Sequence, residues 1–148
     1  MVDVARQRFQ GSSNIEYIID DFAKYNFARS FDLIVSSLAI HHLNGPEKAA
    51  LYQKAFASLK KGGCFINADQ VLGSTEYLEF LYKEDWKRKI LMGPLSEDEL
   101  VQAYERTKLD KMSTLNEQLD WLQKAGFSDV DCVYKNFNFV VLYARKPA

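Results

Sequence analysis

The stretch FDLIVSSLAIHHL, residues 31–43, decides the fold. From Phe31 to Leu38 it is a nearly continuous apolar run. An unbroken run, as opposed to an alternating one, predicts a strand covered on both faces, as in a parallel sheet. Ligands of open α/β sheets bind outside the carboxyl ends of such strands. Ser36, Ser37 and Leu38 occupy that end here, and the chain's two histidines, His41 and His42, follow at once.

Downstream, Asn44-Gly-Pro-Glu47 predicts a helix start with Pro46 at the first helical position. Ala50, Leu51, Ala55, Phe56 and Leu59 form its stripe, and Gly62-Gly63 are expected to stop it near Lys60. Cys64 to Val71 reads as the next strand. A helix is expected from about Ser74 past Trp86 to Leu91, broken by Met92-Gly-Pro94. Ser96…Glu99 and Thr114…Glu117 are capping boxes, each opening a helix. The second carries Leu115, Leu119 and Leu122 inward and ends at Gly126. Val130–Tyr134 and Phe139–Ala144 read as strands joined by a hairpin connection, in which Asn136 and Asn138 are turn residues.

Upstream, Val2, Ala5 and Phe9 have helical spacing, and Gly11 follows as a stop. Asn14 to Ile19, rich in β-branched and aromatic residues, reads as a strand ending at Asp20-Asp21. Helices alternating with buried strands, then a hairpin, predict an α/β sheet with an antiparallel edge.

The bulk numbers agree with one soluble domain. The chain has 148 residues, 47% hydrophobic and 26% charged, with a net charge of −1. Nothing resembles a basic stripe, so electrostatics does not suggest nucleic acid. Cys64 and Cys132 lie in apolar segments without CxxC spacing and read as small core residues in a reducing compartment. The longest uncharged stretch, Leu33 to Pro46, is too short and too polar to cross a membrane. The first residues lack the apolar core of a signal peptide, so a cytoplasmic protein is expected.

Four pieces in this order resemble the class I S-adenosylmethionine-dependent methyltransferases. They are IEYIIDDFAKY (15–25), FDLIVSSLAIHHL (31–43), SLKKGGCFINADQV (58–71) and the closing WLQKAGFSDVDCVYKNFNFVVLYARK (121–146). The first nine residues resemble the helix after that family's second strand. The resemblance implies a single, partial methyltransferase domain over 1–148. Its fold would be a Rossmann-like α/β sheet, N-terminally truncated, mostly parallel, with a C-terminal antiparallel hairpin.

The departure from the family is large. Its first strand, glycine-rich loop and acid-tipped second strand have no counterpart, since glycines stand only at 11, 45, 62, 63, 73, 93 and 126. The chain is therefore expected to be part of a longer enzyme. In the family's strand order, 3-2-1-4-5-7-6, the missing pair lies between the strands at 14–19 and 31–38. Those two strands are expected to close up, or a second copy to pair with the exposed edge as a homodimer.

The resemblance also implies a site with S-adenosylmethionine as cofactor. Asp21, with Asp20 as its neighbour in register, would accept from the adenine amino group, and the Phe22 N–H would reach a ring nitrogen. Backbone groups of Ser36, Ser37 and Leu38 would face the sulfonium and amino acid portion. His41 is the candidate general base, and Tyr82, Trp86 and Arg88 are substrate candidates. The acceptor, a small molecule or a tRNA-type substrate, is not legible.

A structural reading stands beside each of these roles. Asp21 would form a strand-end Asx turn, the two serines would satisfy local backbone groups, and Tyr77, Phe80, Leu81, Tyr82 and Trp86 would pack as a core stripe. Adjacent histidines are expected to diverge and, with only Asp69 and Asp21 as extra ligands, no metal is expected. No G-x-S-x-G elbow supports a serine nucleophile. A catalytically silent α/β module is the alternative function; a nucleotide- or NAD-binding Rossmann domain is disfavoured by the absent glycine fingerprint.

Overall fold

A computed structural model describes residues 2–94 and 96–148, apart from the Glu97 side chain. The elements run α1 (Val2–Arg8), β1 (Phe31–Ser37), a 3-10 turn (Ile40–His42), α2 (Gly45–Ser58), β2 (Leu59–Gln70), α3 (Glu76–Leu91), α4 (Glu97–Thr107), α5 (Leu115–Lys124), β3 (Ser128–Asn136) and β4 (Phe139–Arg145). Three of the helices open on capping boxes: Asn44 with Glu47, Ser96 with Glu99, and Thr114 with Glu117. Each box satisfies two orphan N–H groups at once. Thr75 caps α3 through the Leu78 N–H.

The sheet order is β1-β2-β4-β3. β1 pairs parallel with β2, while β2/β4 and β3/β4 are antiparallel. That is the 4-5-7-6 half of the expected order. Ile34 and Ser36 of β1, Phe65, Asn67 and Asp69 of β2, and Ala144, Leu142 and Val140 of β4 share one face by register. Helices α2 and α5 cover that face. Leu51, Tyr52, Ala55, Leu59, Phe65, Leu122, Phe127 and Leu142 form the core there.

Four expectations are corrected. Residues 14–19 form no strand and do not pair with 31–38. An extended segment needs a ladder partner, and this one is held instead by local contacts: Tyr17 Oη donates to Ala5 O at 3.1 Å and Glu16 pairs with Arg29. Nor is β1 covered on both faces. Leu33 and Val35 are 52% and 60% exposed, because β1 is the sheet edge and these side chains face away from α2. Helix α2 ends at Ser58, and Gly62 and Gly63 lie inside β2. Gly63 sits where an added Cβ would meet Asp32 O at 3.0 Å and Lys60 O at 2.9 Å, so close backbone approach accounts for that glycine. Finally, Tyr77 and Phe80 are exposed, so the aromatic stripe of α3 is only partly packed.

Helices α3 and α4 make an excursion beyond the carboxyl end of β2. Tyr82 of α3 meets Phe137 at the hairpin tip, and Trp86 meets Tyr104 of α4 edge to face. The chain returns through residues 108–114, fastened by Leu72 N–H to Ser113 O at 3.0 Å and Lys111 N–H to His41 O at 2.8 Å. No helix of the described residues is long and apolar enough to cross a membrane.

Candidate functional site

The site is built where β1 and β2 end. Leu38, just past β1, has φ +49, a left-handed conformation that is uncommon for a bulky residue. Its N–H donates to Ala68 O at 2.9 Å, which holds the strained turn against β2. Strain of this kind persists only where surrounding contacts over-determine it, and such positions cluster at functional sites. The turn then delivers Ile40 and His41 into the interior.

His41 is held by one carboxylate at two points. Asp69, the penultimate residue of β2, accepts from the His41 backbone N–H at 3.0 Å and meets His41 Nδ1 at 2.5 Å. The Asp69 side chain is fully buried and that of His41 is 6% exposed. This hydrogen bond raises the His41 pKa above the ordinary imidazole value, against burial, which pulls it down. An Nδ1–H donated to Asp69 leaves the Nε2 lone pair pointing away.

Nε2 faces Asp110 Oδ1 at 3.5 Å, and His42 Nδ1 lies 3.3 Å from the same oxygen. The two rings are 4.1 Å apart between centroids, tilted by 51°. The expectation that they diverge is thus corrected. A tight 3-10 turn, with Leu43 N–H bonded to Ile40 O, brings both rings to one side. The second carboxylate of the cluster, beside Asp69, is Asp110 and not Asp21.

Behind the cluster lies Lys48, fully buried, whose ammonium donates to Lys111 O and to Ser113 Oγ at 2.9 Å. Burial pulls its pKa down, and Asp69 and Glu117 partly restore it. Tyr52 donates to Gln118 in the same layer, and burial pushes its hydroxyl well above the ordinary tyrosine range. Lys48 ties the 108–114 loop to α2, and so fixes Asp110.

A cavity of about 570 Å³ opens beside the cluster. Gln70 and Val71 at the end of β2, Tyr82 and Trp86 of α3, Tyr104 of α4 and Asp110 are among the residues that line it. Tyr82 and Trp86 were expected near substrate and do line this space. Arg88 does not line it; its guanidinium pairs with Asp85 at 2.7 Å, and its side chain is 67% exposed.

The residues expected to hold adenine lie elsewhere. Asp20 and Phe22 line a second cavity of about 680 Å³ whose wall reaches Phe31, the first residue of β1. Ser36, Ser37 and Leu38 stand at the other end of that strand and are not among its lining residues. Asp21 makes the local turn of its structural reading: its carboxylate accepts from Ala23 N–H at 3.0 Å and pairs with Lys24 at 3.1 Å. Those contacts, Lys24 first, lower its pKa.

Sequence reasoning passed over Asp110, Lys48 and Ser113. Lys48 had a signal, since it falls on the stripe of Leu51, Tyr52, Ala55 and Leu59 at helical spacing. Asp110 and Ser113 had none, because the return loop has no motif.

Known proteins resemble this chain in sequence and in fold. A family profile described as "Methyltransferase domain" matches residues 1–63. Carboxy-S-adenosyl-L-methionine synthase of Helicobacter hepaticus is 26% identical over 99% of this chain and 62% of its own length. The enzyme of the same name from Staphylococcus epidermidis is 30% identical over 91% of this chain and 59% of its own. The chain thus spans about three fifths of these relatives. Among solved structures, the N-methyltransferase NodS from Bradyrhizobium japonicum, in complex with S-adenosyl-L-homocysteine, superposes with a TM-score of 0.64. It is 15% identical, and the match covers 99% of this chain and 62% of that one. The chain is thus similar to S-adenosylmethionine-dependent methyltransferases, in sequence over residues 1–63 and in fold over nearly its whole length. The human N-acetylserotonin methyltransferase, another solved structure it resembles in fold, is in complex with S-adenosylmethionine.

Proposed function

We propose that the chain carries the acceptor side of an S-adenosylmethionine-dependent transferase. One observation supports this above the rest: Asp110 is shared between the buried histidine cluster and the cavity walled by Tyr82 and Trp86. In this reading the backbone at Ser36, Ser37 and Leu38 faces the sulfonium, and the acceptor enters the cavity. A lone pair of the acceptor forms a bond to the methyl carbon while the carbon–sulfur bond breaks. The electron pair stays on sulfur and S-adenosylhomocysteine departs. The acceptor's proton leaves to the cluster that His41 belongs to. The cofactor carries the leaving group, so the protein's work is alignment.

The names of the relatives favour a particular variant, in which the methyl group of the cofactor is itself modified and carboxy-S-adenosylmethionine is the product. Lys111 on the cavity lining suits the carboxylated co-substrate that such a product requires. A catalytically silent α/β module is the second reading, favoured by the separation of Asp20 and Phe22 from Ser36–Leu38.

Photolabelling tests the location. The tag-free chain would be irradiated with tritiated S-adenosylmethionine, with excess S-adenosylhomocysteine as competitor, and digested with trypsin. Label competed away from the peptide Ser30–Lys48 is the expected outcome. Absence of competed label, together with no heat of binding for S-adenosylhomocysteine, would leave the silent module.

A further inference from the structure

The histidine cluster gathers three atoms of the kind that ligate metal ions. Asp69 engages Nδ1 of His41, and the other ring nitrogen, Nε2, lies 3.5 Å from Asp110 Oδ1. His42 Nδ1 approaches the same oxygen at 3.3 Å. One atom from each of the three residues lies within 4.8 Å of the other two. The Asp110 side chain is only 7% exposed, so water screens its charge little and a positive partner is favoured there.

The two distances to Asp110 Oδ1, 3.3 and 3.5 Å, match the edges of a coordination polyhedron. Tetrahedral Zn²⁺ with bonds of about 2.0–2.1 Å sets neighbouring ligand atoms about 3.3–3.4 Å apart. The donors also have the right chemistry, since two imidazoles and one carboxylate suit a borderline divalent ion and leave a fourth position open. A carboxylate on the far nitrogen of a ligating histidine is the usual device for fixing its tautomer and ring plane, and Asp69 supplies it. The half-exposed His42 side chain gives an ion a path from solvent.

We propose that His41 Nε2, His42 Nδ1 and the Asp110 carboxylate form a binding site for a divalent transition-metal ion of the Zn²⁺ class. Asp110 lines the cavity, so the ion's open position is at the cavity wall. A molecule bearing a hydroxyl or carboxylate oxygen is the class it would hold, and a bound hydroxyl would lose its proton more readily. The site does not depend on the methyl-transfer reading, and it can be tested without S-adenosylmethionine.

The test uses the tag-free 148-residue chain, stripped with chelator and titrated with Zn²⁺ by calorimetry, then with Co²⁺ by visible absorption. The expected result is one Zn²⁺ per chain and the intense visible band of four-coordinate Co²⁺. Both signals should vanish in His42→Ala and in Asp110→Asn, and Asp69→Asn should weaken Zn²⁺ binding about 10–100-fold. His41 and His42 are the only histidines, so a Cys64→Ser/Cys132→Ser variant with unchanged binding excludes thiolate ligation. His42 is half-exposed, so its replacement keeps the test valid should Asp110→Asn misfold. No uptake by the folded chain, or uptake unchanged in His42→Ala, would overturn the site. In that case a proton on His41, shared between Asp69 and Asp110, is what balances the cluster.

Discussion

Tyr52 is the residue on which the buried polar layer turns. It is fully buried, its ring packs edge to face on Phe65, and its hydroxyl donates to the Gln118 side-chain oxygen. Tyr52→Phe keeps the ring and removes the donor, leaving the Gln118 oxygen buried without it. The expected cost is about 1–3 kcal/mol, the penalty of an unsatisfied buried acceptor, read as a lower urea midpoint at unchanged slope. An unchanged midpoint would mean that the Tyr52–Gln118 bond adds nothing net. Lys48 behaves alike in kind: a cation on an apolar stripe stays buried only because Lys111 O and Ser113 Oγ receive it.

At the scale of elements, the helix ends carry much of the specification. The three capping boxes were legible because their chemistry is local: the cap and its glutamate partner lie within one turn. Gly126, which closes α5, combines two constraints. Its φ is +107, and an added Cβ would meet the Phe56 ring at 2.9 Å. Gly126→Ala is expected to destabilise by about 1–2 kcal/mol from the backbone alone, and by more if the ring cannot shift. Thermal unfolding would measure it; a melting temperature equal to the parent's would show that α5 ends some other way. The strand expected at 14–19 failed at this same scale. Its residue types suit a strand, but β-propensity expresses packing against neighbours, and no neighbouring strand pairs with it among the described residues.

At the scale of the whole molecule, the sheet has a covered and a bare side. Leu33 and Val35 point away from α2, on the edge strand. An exposed apolar edge is a template for pairing with another chain. Sedimentation is expected to show a mass that rises with concentration, and Val35→Lys to suppress that rise, since an edge lysine blocks pairing. A single monomeric species for the parent at all concentrations would refute self-association through this edge.

The sequence by itself determined which elements follow Phe31 and their order, though not where α2 gives way to β2. Both follow from periodicity and caps, which act over a few residues. It also marked Tyr82 and Trp86 as part of an aromatic stripe, of which Tyr77 and Phe80 stay exposed. Only the tertiary structure decided that Asp110 joins His41, His42 and Asp69, since that meeting depends on how the 108–114 loop returns and is tied down by Lys48. It likewise decided that Asp20 and Phe22 lie apart from Ser36–Leu38 and that β1 is an edge. Pairing and loop closure are long-range events, and residue type alone does not encode which partner is within reach.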